Sequence, residues 1–347
     1  MKKVNLIFTL DYEIHGNGDG NPYTLMVEPT YRLMDLLEKY DKKLTILADV
    51  AEILCFKKYY EQHKVDKFSY LKIEQQLKDA IKRGHDVQLH IHSSYVGADY
   101  DGIRWNQNID NYNLAALPYY EIYDIIYTCK LYLEETLKKV DSNYKCVVFR
   151  AANWSMMPTK NIYKSLVDNG IKFDTSVFKG GVQGGNVSFD YRDAYSNYLS
   201  YPANNENINK YDESGKLIEM PIYAEMRYFW SFFSFIRVFR MIRAKFHKHK
   251  KSQVVTEISE SVNANTNRKL SVKSFFTKSP WKFDFNQATG NQMIKTMKKI
   301  TKNVKDENVS IVLIGHSKTF ISYNEKTLEK FLRYAKSIKL ISSDKIK

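Results

Sequence analysis

Two acidic residues and two histidines, each pair spaced two apart, are where this chain first offers chemistry. Thr9-Leu10-Asp11-Tyr12-Glu13 closes an apolar run near the N-terminus, and Gly84-His85-Asp86-Val87-Gln88-Leu89-His90-Ile91-His92-Ser93-Ser94 carries the histidines. Residues two apart in an extended strand point to the same side, so Asp11 and Glu13 can face one cavity, as can His90 and His92. Two carboxylates in one site can divide labour, one binding a cation and the other taking a proton from an attacking water. Two imidazoles on one strand face, with a carboxylate and open positions for water, suit a divalent metal. Taken alone, the acidic pair fits helix caps or a solvated loop at least as well, and a lone buried histidine is usually structural. The His-x-His pair ending one strand beside an Asp-x-Glu pair ending another tips the reading to a metal site.

The elements that must position these residues follow from hydrophobic periodicity. Strands are expected at residues 4–11, 44–49, 86–92, 145–150, 172–174, 217–223 and 310–315. Helices are expected at 29–40, 74–83, 121–140, 160–169, 286–302 and 325–338, two of them stopped by Gly84 and Gly170 in the manner of left-handed C-terminal caps. Alternating strands and helices with near-continuous apolar strands imply a parallel sheet covered by helices. Asp11, Asp49, His90, Arg150, Asp174 and His316 each fall at the C-terminal end of an expected strand, where barrels collect catalytic groups. An open doubly wound sheet would gather its ligand contacts at one switch point, and no glycine-rich phosphate loop follows the first strand. The barrel is the preferred architecture.

Composition bounds the rest. The 347 residues are 44% hydrophobic and 14% aromatic, with 26 Tyr and 19 Phe, which is enough to build a sizeable core and excludes wholesale disorder. Cys55, Cys129 and Cys146 have no paired spacing, which argues against a disulfide framework and a thiolate zinc site. The short N-terminal apolar run alternates like a strand, so a cytoplasmic protein is expected. A net charge of +14 invites a nucleic-acid reading. Outside residues 237–251, however, the basic residues sit mainly on expected helix faces, as with Lys298, Lys299 and Lys302, and no nucleic-acid partner is expected.

Five stretches occur in the order and approximate spacing of the polysaccharide deacetylases, the NodB-like carbohydrate esterases. They are Asp11-Tyr12-Glu13, the stretch from Gly84 to His92, Phe149-Arg150-Ala151-Ala152-Asn153-Trp154, Phe173-Asp174-Thr175-Ser176 and Leu313-Ile314-Gly315-His316. The chain resembles that family over nearly its whole length. The resemblance implies a single domain over residues 1–347, a distorted (β/α) barrel of about seven strands with an aromatic and basic insertion at about 186–280. It also implies hydrolysis of an N-acetyl or O-acetyl group with a divalent metal, commonly zinc, on an N-acetylated saccharide.

By position, Asp11 is similar to the general base that deprotonates the attacking water, Glu13 to the metal carboxylate and His90 to a metal imidazole. Arg150 resembles the arginine that orients the base, Asp174 the acid that tunes the catalytic histidine, and His316 the general acid that protonates the leaving amine. An imidazole suits that last role near neutral pH. The family places its second metal histidine four residues after the first, where this chain has Ser94. Either His92 replaces it from the same strand face, or Glu13 and His90 hold the ion with more water. Asp49 either adds a carboxylate or is structural. Tyr95, Asn153 and Trp154 are the expected substrate contacts, with Tyr95, Trp105 and Trp154 able to stack on sugar faces or simply to pack.

The segment 228–251 is aromatic and then basic, and too short and too charged to span a bilayer. It can lie on an anionic membrane surface, or pack its aromatics over the barrel and wall the substrate groove. Acetamido-sugar deacetylation, with a pathway such as surface-polysaccharide assembly, is the leading expectation. The alternatives are a deacetylase-like carbohydrate-binding protein with impaired catalysis, for which Ser94 is the warning sign, and a membrane-surface or nucleic-acid-binding module driven by charge.

Overall fold

The computed structural model describes residues 4–14, 20–228, 277–304 and 309–338, and the backbone of 341–343. The first strand, β1 (Val4–Tyr12), is buried along nearly its whole length, as a central parallel strand must be when helices cover the sheet. It leads through α1 (Glu28–Glu38), with Pro29 in its first turn, to β2 (Leu44–Asp49). Two helices follow, α2 (Val50–His63) and α3 (Tyr70–Lys82), before β3 (Asp86–Ile91). Then come α4 (Tyr119–Leu137), β4 (Val148–Ala151), α5 (Thr159–Asp168) and β5 (Phe173–Asp174). Short strands β6 (Tyr201–Pro202) and β7 (Ile218–Glu219) precede a hairpin of β8 (Ala224–Tyr228) and β9 (Lys278–Lys282). The chain continues through α6 (Gly290–Asn303), β10 (Val309–His316), α7 (Ser322–Ser337) and β11 (Ile341–Ser343).

The main sheet runs β6-β7-β5-β4-β3-β2-β1-β10, with β11 alongside the start of β1. Every pairing in it is parallel except β6 with β7. The sheet curls until its ends meet: past β7 the chain makes a parallel bridge from Ile222 to Val312 of β10, and Asp284 bridges Ile314. The backbone N–H of Tyr223 donates to Val312 at 3.1 Å, and that of Ile314 to Phe283 at 3.0 Å. Strands β1 to β5, β7 and β10 thus form a distorted seven-membered (β/α) barrel, as expected. The closing seam is made of isolated bridges, whereas β10 pairs with β1 from Val4↔Val309 to Asp11↔His316.

Helix α2 has no counterpart in the sequence reading. It starts with no loop after β2 because Asp49 is its N-cap, accepting the N–H of Glu52. Its buried residues, Val50 to Ile53, Cys55 and Phe56, crowd its first turns and include Glu52, so its polar and apolar faces contrast weakly. Strands β6 and β7 lie inside the 186–280 segment yet pair into the main sheet, so that segment is not wholly an excursion from it. The basic and aromatic stretch 229–251 lies outside the described residues. Among the described residues no helix is long and apolar enough to cross a membrane.

Candidate active site

Strand register brings the sequence-predicted residues level with one another. Asp11 of β1 pairs with His316 of β10, Asp49 of β2 with His90 of β3, and His90 with Arg150 of β4. All lie at the C-terminal strand ends, where a parallel barrel opens.

Arg150 is wholly buried and ties three strands together. Its guanidinium donates to Asp11 Oδ1 at 2.6 Å, to Thr9 Oγ1 at 2.9 Å and to the Thr175 carbonyl at 2.8 Å. The other Asp11 oxygen, Oδ2, lies 3.5 Å from His316 Nε2. Burial alone would push the Asp11 carboxyl up, but Arg150, His316 and His90 bring it below its ordinary value, so it is ionised at neutral pH.

Glu13 forms the second focus. Its Oε2 lies 2.7 Å from His92 Nε2 and 3.1 Å from His90 Nε2, while Oε1 receives the Lys318 ammonium at 3.3 Å. Burial opposes ionisation here too, and Lys318, His92 and His90 outweigh it, holding Glu13 well below the carboxylate range. His90 Nδ1 lies 2.8 Å from the Arg150 carbonyl, which can only accept, so Nδ1 carries a proton and Nε2 is the nitrogen turned to Glu13. Burial would lower the His90 pKa, but the hydrogen bond and charge of Glu13, with Asp11 and Asp49, raise it to about 9.

One ligand atom from each of Glu13, His90 and His92 falls within 4.8 Å of the others, all three residues buried. That is the fit a small divalent ion requires, with three protein ligands and further positions open. A second observation agrees: Asp49 Oδ1 accepts the backbone N–H of His92 at 3.0 Å, while its Oδ2 is buried with no hydrogen-bond partner. Burial raises the Asp49 carboxyl above its usual range against the pull of His92 and His90. Of the two ways of filling the ligand set, the His92 alternative matches this geometry. Ser94 is buried and donates its hydroxyl to Gln107 at 2.8 Å.

His316 is fixed through its backbone. Asn286 donates to the His316 carbonyl at 2.8 Å and accepts the His316 N–H at 3.2 Å. Gly315 is needed beside it, since a Cβ there would run into the Phe285 ring and the Asn286 amide. Trp154 stands edge-on to the His316 ring at 6.1 Å, with the Lys282 ammonium 3.0 Å from its ring centroid. Asn153 and Trp154 both hold positive φ, 51° and 59°, which is uncommon for non-glycine residues and turns the chain sharply after β4. Asn153 Nδ2 is buried without a hydrogen-bond partner.

Two expectations need correction. Tyr95 is fully buried, as Trp105 nearly is, so its ring has no face to offer a sugar; it lies beneath the site because the 3-10 turn Ser93–Tyr95 sends it inward. Asp174 accepts the Ser176 hydroxyl at 2.7 Å and pairs in register with Glu219, so its neighbours are those residues, not His316. Burial pushes Asp174 up, and burial with repulsion from Asp174 pushes Glu219 well up. Lys318, Asn286 and Glu219 escaped the sequence reading. Only Lys318 had a signal, a cation two residues after His316.

No protein-family model matches the sequence, and no curated protein matches it. Similar solved structures include a 4-α-glucanotransferase from Thermococcus litoralis, 13% identical with a TM-score of 0.52, covering 99% of this chain and 40% of that one. The chain therefore spans less than half the length of that enzyme, and the likeness is one of fold. They also include a protein from Mycobacterium smegmatis described as a polysaccharide deacetylase, 14% identical with a TM-score of 0.47, covering 98% of this chain and 86% of that one. The polysaccharide deacetylase Bc1974 from Bacillus cereus is 11% identical with a TM-score of 0.39, covering 100% and 93%.

Proposed function

We propose that the protein is a metal-dependent deacetylase that hydrolyses an N-acetyl group on a sugar or glycan. The observation that carries this reading is the convergence of Glu13, His90 and His92 beside Asp11, whose two oxygens are divided between Arg150 and His316.

A divalent ion held by Glu13, His90 and His92, with zinc the expected one, would polarise the acetyl carbonyl and lower the pKa of water. Asp11, kept ionised by Arg150, accepts the proton of the attacking water. Arg150 also fixes the Asp11 rotamer through Oδ1 and leaves Oδ2 directed to His316. His316 donates a proton to the nitrogen of the departing amine, which an amide leaving group requires. Trp154 borders the histidine, and it and Asn153, its neighbour in the turn after β4, are the residues we assign to the substrate. Asp174 acts at one remove, through the Ser176 hydroxyl, which accepts the Ala151 N–H at 2.8 Å beside Arg150.

A second reading, a carbohydrate-binding relic, draws on Ser94, whose hydroxyl is committed to Gln107. Metal analysis of the purified protein together with acetate release from N-acetylated oligosaccharides separates the two. Close to one ion per chain with acetate release supports the deacetylase; sugar binding without acetate, at full metal occupancy, overturns it.

A further inference from the structure

Glu13 has two oxygens, and the fold assigns them different neighbours. Oε2 faces the two imidazoles that complete the ligand set, and Oε1 faces an ammonium. That ammonium belongs to Lys318, delivered by the 3-10 turn Ser317–Thr319 directly after β10. Its Nζ lies 3.3 Å from Glu13 Oε1 and 3.1 Å from the Ile14 carbonyl, and its side chain is 11% exposed. A lysine normally reaches for water, and ordering its long side chain costs entropy, so a largely buried ammonium turned onto the carboxylate assigned to the metal needs a reason.

We infer that Lys318 is a positioning residue that competes with the divalent ion for Glu13 and weakens metal binding at this centre. The inference rests on the reading that Glu13, His90 and His92 hold the ion. Without an ion, the ammonium neutralises Glu13 and lets three polar ligands pack in a buried site. When an ion arrives, two cations share one carboxylate, in surroundings where like charges repel far more than in water. The groups around them are Asp11 and Asp49 on the acidic side, with Arg150 already committed to Asp11. Removing the ammonium therefore favours the ion and frees Oε1 to join Oε2 as a ligand.

A contrary effect exists, because hydrogen-bond partners of metal ligands usually raise affinity by orienting them. Orientation contributes less here. Glu13 is buried and its Oε2 already lies between two imidazoles, so losing the contact at Oε1 leaves the ligating oxygen in place.

The test is a calorimetric Zn2+ titration of chelator-treated full-length protein, wild type against Lys318→Met and Lys318→Arg, with His90→Ala locating the site. Lys318→Met is expected to bind one Zn2+ at least about tenfold more tightly than wild type, and Lys318→Arg to stay within about threefold of it. With Co2+ in place of Zn2+, the visible spectrum of Lys318→Met should differ from wild type as Oε1 is released, and that of Lys318→Arg should not. If the methionine variant does not fold, Lys318→Gln carries the same expectation. Affinity in the neutral variant that is equal to or weaker than wild type overturns the inference while leaving the metal reading intact. Zn2+ binding that is absent from wild type, or unaffected by His90→Ala, overturns both.

Discussion

The barrel buries two pairs of carboxyl groups a few strands apart and treats them in opposite ways. Asp11 and Glu13 are met by Arg150, His316, His90, His92 and Lys318, and both stay ionised. Asp174 and Glu219 are equally buried but are met by Ser176, the Val177 N–H and each other, and only weakly by the charge of Arg150, which is hydrogen-bonded to Asp11, so both are driven toward the neutral form. Burial is the first influence on all four, so the difference lies in the cations. A buried carboxylate bonded directly to cationic partners is available for chemistry, whereas one that feels a cation only at a remove binds a proton and becomes structural.

The ionised pair should give the largest effects. Asp11→Asn keeps the shape and removes the base, so acetate release from an N-acetylated oligosaccharide should fall by about 10^3-fold; a variant within a few-fold of wild type would remove Asp11 from the mechanism. Arg150→Met leaves Asp11 buried without its guanidinium, and equilibrium unfolding should show a loss of about 3–5 kcal/mol. His92→Asn should weaken metal binding by at least about tenfold while Ser94→Ala leaves it unchanged, because of these two residues only His92 faces Glu13. The reverse pattern would return the second imidazole position to residue 94.

The two pairs should also differ, by a smaller amount, in how they respond to pH. The folded-state pKa values of Asp174 and Glu219 lie above their unfolded values, so these groups weaken the fold progressively as pH rises past the unfolded values. For Asp11 and Glu13 the folded values lie below, so in metal-free protein their contribution is present at neutral pH and is lost as pH falls. Glu219→Gln should therefore stabilise the protein at pH 7 by on the order of 1 kcal/mol and flatten the decline of stability as pH rises above the ordinary carboxylate range. A thermal-melt series across and above that range checks it, and a destabilised variant with unchanged pH slope would show that Glu219 carries no excess proton.

The strand ends were legible because period-two alternation places side chains reliably, and the C-terminal end of a parallel strand is where a barrel opens. Asp11, Glu13, His90, His92, Arg150 and His316 were found that way and converge. Legibility stops where β3 and β10 run into 3-10 turns, since a three-residue period sends side chains in directions that alternation does not foresee. Tyr95, expected at a sugar, turns inward by this route, and Lys318, which drew no notice, turns onto Glu13. Glu219 was hidden for another reason: the short strand β7 was read correctly as extended, but nothing in its residues shows that its neighbour in register is Asp174. Helix α2 was missed because its faces differ little in polarity.

The barrel's seam has a consequence for how the molecule breathes. One flank of β10 is zipped to β1 along its full length, while the other is tacked to residues 222–223 and 283–285 at scattered points. Thermal fluctuation should unzip the cylinder along that line first, so amides on the tacked flank, such as those of Tyr223 and Ile314, should exchange with deuterium sooner than those of the β1–β2 ladder. His316 sits at the mouth of this slit, clamped by Asn286 to the tacked side, and a substrate bridging the slit would suture it shut.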